Sequence, residues 1–350
     1  MVTSSMNGGG PGKLPRLQNI VVLRSFAMVA VVLYHCYCPW LNTWHWYDTD
    51  ARCLYSIIFE TLLVGRMPLF VFVSGYLFSH LFLDRGKYRK FLPFLKNKFQ
   101  RLLVPCLLFS ALMSLVLQDN YIEVLLGMGY HTWFLKMLFL CFMTAWVLGH
   151  YSRGAWMDSV FLILSVAMMV LPDIPYLGIG QYFKYFAFFY LGFLMYKYRD
   201  KLRFIYTYKS LTAMLVLYCV ISGIAVNQYI AHPDAAASDI IHSDKVVVGC
   251  RHLLRPLIIF IAFVIVDIFL KGRSAISRIF DSLNRYSYGI YLFHMLLLQV
   301  IYKYFLSETM LLGTEHQYLT PVILFAIIFT LSFSLTYYVS KWRWGKYLIG

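Results

Sequence analysis

Charge is scarce in this chain: of 350 residues only 13% are Asp, Glu, Lys or Arg, about half the share a water-soluble domain carries. Acidic residues are the scarcer sign, at 16 against 31 Lys and Arg. The seven cysteines show no metal-ligand spacing, and Cys106, Cys141 and Cys219 fall in apolar runs where a thiol behaves as a small hydrophobe. Alternating polarity over ~10 residues, the mark of a barrel strand, is missing. No loop is long enough for a soluble domain, and no convincing internal repeat of the kind seen in many transporters is present. The first apolar run is too long, and too poor in small residues at its end, for a cleaved signal peptide. These absences leave no case for a soluble domain, a barrel or a metal-built site.

Hydrophobic residues fill the space, at 60% of the chain with 19% aromatic and a mean hydropathy of +0.65. Charged clusters separate about ten apolar segments of roughly 15 to 25 residues, enough to cross ~30 Å of hydrocarbon at ~1.5 Å per residue. Their cores are 19–38, 53–81, 102–117, 132–148, 156–171, 177–196, 211–230, 246–270, 286–305 and 321–340. The expectation is an all-α, polytopic integral membrane protein with about ten transmembrane helices, forming one unit over residues 15–350. Residues 1–14, with Gly8, Gly9, Gly10, Pro11 and Gly12, read as a disordered arm. Most basic residues fall in alternate connections, which puts both termini on the cytoplasmic side. The net charge of +15 is therefore a topology signal and not a nucleic-acid footprint. Trp44, Trp46 and Tyr47 in the first outer loop suit either sugar stacking or an interfacial belt. Cys36, Cys38 and Cys53 all fall near the outer face, leaving one disulfide open.

Ionisable groups inside a membrane are costly, so those present are candidates for function. Arg24 and His35 are 11 residues apart, three helical turns plus ~20°, and so share one stripe with an axial offset of ~16 Å. The arginine lies near the inner mouth and the imidazole, suited to general-base work, near the outer end; a snorkelling arginine and an interfacial histidine would give the same letters. Glu60 lies at a depth similar to His35, where it could orient that ring or pair with Arg66. Pro68 and Gly75 permit a break in the second segment, whose freed backbone groups must face protein or a wet cavity. Lys98 and Arg101 stand one turn apart at the inner start of the third segment, as a phosphate clamp or as topology anchors. Arg251 and Arg255 share a helix side near the outer face, where they could hold an anionic acceptor such as a lipid pyrophosphate or simply snorkel. Tyr288, Tyr291 and His294 recur every three residues as a polar stripe, for substrate or for interhelical hydrogen bonds.

Taken together these segments resemble the acyltransferase 3 family over nearly the whole chain. The strongest element is the Arg or Lys, ten residues, His pattern met by Arg24 and His35. The block from Met67 to Leu77, containing Pro68-Leu69-Phe70 and Ser74-Gly75-Tyr76, is similar to a second recurrent segment, and His131 to Leu135 and Ser287 to His294 are similar to two more. One departure stands out: the family's paired arginines, two residues apart, are here Lys98-Phe99-Gln100-Arg101, which keeps the charge and loses one planar fork.

The resemblance implies the stand-alone form of a membrane-bound O-acyltransferase, without a fused extracytoplasmic hydrolase-like domain. It would move an acyl group, acetyl first among them, from cytoplasmic acyl-CoA to a hydroxyl of a cell-surface or lipid-linked glycan. On that reading His35 is the base, with Glu60 or another acid orienting it, and Arg24, Lys98 and Arg101 hold the donor phosphates. Substrate contacts are expected from Arg66, Ser74, Trp133, Arg251, Arg255, Tyr288, Tyr291 and His294, with Tyr288, Ser74 or Trp133 as oxyanion donors. The pantetheine arm, roughly 15 to 20 Å long, is comparable to the ~16 Å between Arg24 and His35; direct transfer and an acyl-histidine both remain open. The expected partners are the bilayer, acyl-CoA as co-substrate with no permanently bound cofactor, and the glycan acceptor, in the inner membrane of a bacterium. A transporter or flippase for an anionic lipid or sugar is the rival reading.

Overall fold

In hydrocarbon a backbone must satisfy its own hydrogen bonds, and the long runs of Leu, Val, Phe and Ala do so as helices. The computed structural model describes residues 18–41, 51–127, 130–152, 154–232, 244–269, 274–306 and 316–349. The expected arm at 1–14 and the loop aromatics Trp44, Trp46 and Tyr47 lie outside them. In chain order the α-helices are α1 (Gln18–Tyr37), α2 (Arg52–Ile57), α3 (Arg66–Leu83), α4 (Phe91–Lys98), α5 (Val104–Leu117), α6 (Tyr121–Leu126), α7 (Trp133–Tyr151), α8 (Ala155–Ala167), α9 (Ile179–Lys197), α10 (Tyr208–Ala231), α11 (Lys245–Phe269), α12 (Ser274–Ile301), α13 (Thr320–Lys341) and α14 (Gly345–Leu348). Among the described residues there is no strand.

Among the described residues seven helical stretches are long and apolar enough to cross a membrane: Gln18–Tyr37, Arg52–Leu83, Phe91–Leu117, Trp133–Tyr151, Tyr208–Ala231, Lys245–Phe269 and Thr320–Lys341. The other three expected segments are helical too. Helix α8 is short, α9 carries Gln181, Lys184 and four tyrosines, and α12 begins polar and keeps the stripe through His294. The exterior is apolar, with Val216, Leu217, Val220 and Ile224 of α10 outward, a surface that only lipid or another apolar partner covers. The chain is a multi-pass membrane protein. All seven cysteines are free, Cys36, Cys38 and Cys53 among them.

The break in the second segment falls at Gly65 and Pro68, not at Gly75. A π turn at Ile58–Leu62 is followed by a non-helical step before α3 begins at Arg66, and Pro68 cannot donate to the residue four back. Arg66 Nη1 takes up the loosened carbonyls, donating to Phe59 O at 3.1 Å and Leu63 O at 3.0 Å. Gly75 stays helical and serves packing instead. Helix α3 makes its largest contact with α9, where a Cβ at Gly75 would collide with the Phe189 carbonyl and one at Gly192 with the Phe72 carbonyl. Bare glycines let the two backbones touch, the usual route to close association in lipid.

Charge also positions helices. Buried Asp158 of α8 accepts from Lys197 Nζ at 2.6 Å, Tyr190 Oη at 2.7 Å and Tyr198 Oη at 2.6 Å, and from Ser152 Oγ. This ties α8 to the end of α9. Helices α1, α3, α7, α9 and α12 enclose most of the buried core, and both groups of polar residues lie on or beside them.

Candidate active site

Helix α1 sets the frame, because its regular 3.6-residue turn puts Arg24 and His35 on one stripe with ~16 Å between them. At the Arg24 end lies a cavity of about 260 Å³. Its polar lining comes from Arg24 on α1, Ser74 and His80 on α3, Lys98 at the end of α4, Arg101 in the following π turn, and Tyr288 on α12. Tyr88 completes it, and five of these seven are residues that the sequence singles out, drawn from four separate segments. Among the described residues no carboxylate pairs with Arg24 or Lys98. Lys98 Nζ instead sits 3.3 Å over the Phe142 ring, with Tyr88 5.2 Å away, and the Arg24 guanidinium lies 5.9 Å from the Phe70 centroid. The Tyr288 hydroxyl donates to Arg101 O at 2.7 Å, which holds the π turn against α12.

The other end of the stripe is built from histidines. His35 Nδ1 and His294 Nε2 are 3.1 Å apart, and His294 Nδ1 is 2.6 Å from Tyr291 O. A carbonyl can only accept, so His294 carries its proton on Nδ1, and its Nε2 accepts from His35 Nδ1–H. His35 is thereby held in the tautomer whose Nε2 bears the lone pair. His131 joins this group, with its ring 6.0 Å from that of His294 and 5.8 Å from that of Tyr291. It is buried with neither ring nitrogen hydrogen-bonded, and its carbonyl accepts from Tyr291 Oη at 2.7 Å. Among the described residues no group of three His, Cys, Asp or Glu has a metal-binding arrangement.

Beside the histidines lies a buried ionic cluster. Glu60, carried on the π turn, places Oε2 2.9 Å from Arg251 Nη2 and Oε1 3.6 Å from Arg66 Nη2. The Arg66 guanidinium stacks 3.5 Å over the ring of Tyr34, whose centroid is 5.5 Å from that of His35. Of the two roles open to Glu60, the geometry is that of ion pairing, and the ring beside His35 is His294. Among the described residues two of the three π turns thus carry candidate site residues, Glu60 in Ile58–Leu62 and Arg101 in Phe99–Leu103; such insertions re-aim side chains and concentrate at functional positions.

The remaining residues divide between these centres. Ser74 lines the cavity but its hydroxyl donates to Phe70 O at 2.9 Å. Trp133 stays outside the cavity, packed against Tyr185 and Phe134. Arg255 joins the Glu60 cluster. His80 and His131 have no place in the sequence-based set: His80 looks like a helix-end basic residue, and His131 belongs to a recurrent block with nothing in its letters to mark its ring.

Buried cations thus surround one cavity, and a histidine pair lies further along the same helix. A family model described as an acyltransferase domain, that of the acyltransferase 3 family, matches residues 17–341, and the chain belongs to that family. It is a membrane acyltransferase, acting on groups other than aminoacyl. No curated protein and no solved structure matches the chain.

Proposed function

We propose that this acyltransferase moves an acyl group from cytoplasmic acyl-CoA to a hydroxyl of a cell-surface or lipid-linked glycan, acetyl-CoA being the donor to test first. The observation that carries the reading is the pairing, on one helix, of the Arg24–Lys98–Arg101 cavity with the His294-oriented ring of His35. The basic cavity suits the CoA phosphates, and a pantetheine arm of roughly 15 to 20 Å matches the ~16 Å to the imidazole. With basic segments inside, the donor enters from the cytoplasm of a bacterium and the product forms at the outer leaflet of its inner membrane, as cell-envelope modification requires.

In this reading His35 Nε2 takes the proton of the acceptor hydroxyl as its oxygen attacks the thioester carbonyl carbon. A C–O bond forms, the C–S bond breaks, and the imidazolium returns the proton to the CoA thiolate, giving an ester and free CoA thiol. His35 is the catalytic residue and His294 a positioning residue, in the manner of the carboxylate behind a triad histidine.

Calorimetry with acetyl-CoA, followed by thiol release, tests this. Lys98→Gln with Arg101→Gln should weaken donor binding by at least about tenfold, and Lys98→Arg should keep or improve it. His35→Ala should bind the donor normally and lose about 10²-fold or more of turnover. An active His35→Ala protein would remove the base from the scheme.

A further inference from the structure

At the His35 end three guanidiniums from two helices converge on one carboxylate. Arg66 opens α3, while Arg251 and Arg255 lie one turn apart on α11. Glu60 contacts the first two directly and is within electrostatic reach of the third. The side chains of Glu60, Arg66 and Arg251 are only 3%, 12% and 16% exposed. Among the described residues no second carboxylate pairs with these arginines; Asp244, at the start of α11, spends its Oδ1 on the amides of Val246 and Val247. Three cations against one anion leave the cluster at +2.

The three arginines are not equally engaged. Arg66 is largely committed, to Glu60 and to the carbonyls of the broken helix. Arg251 Nε and Arg255 Nε are buried without a hydrogen-bond partner, and Arg255 makes no ion pair among the described residues. Buried cations with unused donors call for an anion. Arg66 stacks on the residue preceding His35, so such an anion would sit beside the reacting centre.

We propose that Arg251 and Arg255, with Arg66 behind them, bind the phosphate of the acceptor, which is therefore a phosphate- or pyrophosphate-linked saccharide and not a neutral glycan. This rests on the acyl-transfer reading and deepens it. A pyrophosphate diester, being a dianion, neutralises the cluster fully and a phosphodiester half of it; planar guanidinium forks suit phosphate oxygens, and Glu60 sits between Arg66 and Arg251. Anchoring the acceptor by a fixed charge presents its hydroxyls to His35 in a limited range of positions, which confers regioselectivity.

The probe is inorganic pyrophosphate, titrated calorimetrically into protein saturated with CoA in a non-ionic detergent, so that the donor phosphate site is already filled. Pyrophosphate should bind, Arg255→Gln should weaken it by about tenfold or more, and Arg255→Lys should weaken it less. Unchanged CoA affinity in both variants checks that the fold is intact. No uptake by CoA-saturated wild type, or equal affinity in Arg255→Gln, overturns the proposal. Failure of CoA itself to bind would count against the donor reading alone, and titration of the Lys98→Gln/Arg101→Gln protein would still decide this site. In phosphatidylglycerol nanodiscs pyrophosphate binding should persist; its loss there, with binding kept in detergent, would assign the cluster to a lipid headgroup and overturn the acceptor site.

Discussion

Two acceptors face the His35 ring, the His294 imidazole and the Val31 carbonyl one turn back. Because His294 is fixed as an acceptor toward His35 by the Tyr291 carbonyl, removing His294 takes away one of the two holds on the ring without touching the donor cavity. His294→Ala should therefore lower kcat about 10²-fold and leave the KM for acetyl-CoA unchanged. His294→Gln, whose side-chain oxygen can still accept from Nδ1–H, should recover much of the loss. Equal losses in both variants would make the ring a packing element. The sequence makes half of this dyad visible: Arg24 and His35 share a stripe by helical arithmetic alone, and His294 stands out through its three-residue spacing with Tyr288 and Tyr291. Their partnership crosses 259 residues, which no local pattern encodes. A similarly long separation in sequence hides the link from Glu60 to Arg251, so the residues alone leave the role of Glu60 with two alternatives.

At the scale of elements, the second segment shows why a proline and a glycine in one helix need not do the same thing. Pro68 removes a donor near the start of α3 and coincides with the break, whereas Gly75, mid-helix, removes a side chain and lets α9 approach. Gly75→Ala should destabilise the protein by about 1–3 kcal/mol, the usual cost of forcing extra volume into a packed contact. Gly223→Ala on α10, where a Cβ meets nothing within 4 Å, should be neutral or stabilising by about 0.5–1 kcal/mol through helix propensity. Thermal unfolding of both in detergent makes the comparison, and equal shifts would show that α3 and α9 tolerate separation. Helix existence was legible here because apolar length dictates it. The π turns were not, since one inserted residue leaves composition and hydropathy unchanged while rotating everything beyond it. The polar content of α9 lowers its hydropathy for a related reason: Tyr182, Tyr190, Tyr196 and Lys197 are satisfied internally, as by the contacts of Tyr190 and Lys197 with Asp158, which hydropathy cannot register.

Across the whole molecule, two polar centres on one stripe are separated by aromatic rings. Phe70 and Phe134 line the basic cavity, yet His35 and His294 do not. Both rings pack on Tyr291, at 6.1 and 5.2 Å, and Tyr291 lies 5.6 Å from the His294 ring. On the proposed reading, a thioester entering from Arg24 would have to displace this group before reaching His35, which would make donor binding and chemistry separate steps with a steric barrier between them. Such a barrier protects the thioester from water until an acceptor is present. Phe70→Ala removes a ring on the cavity side, Tyr291 being held by its bond to the His131 carbonyl. The variant should bind acetyl-CoA as before and release thiol several-fold faster without acceptor, and it should admit hexanoyl-CoA better than the parent does. Unchanged thiol release would mean that the arm reaches His35 by another path, and weakened CoA binding would make Phe70 a wall of the cavity and not a gate.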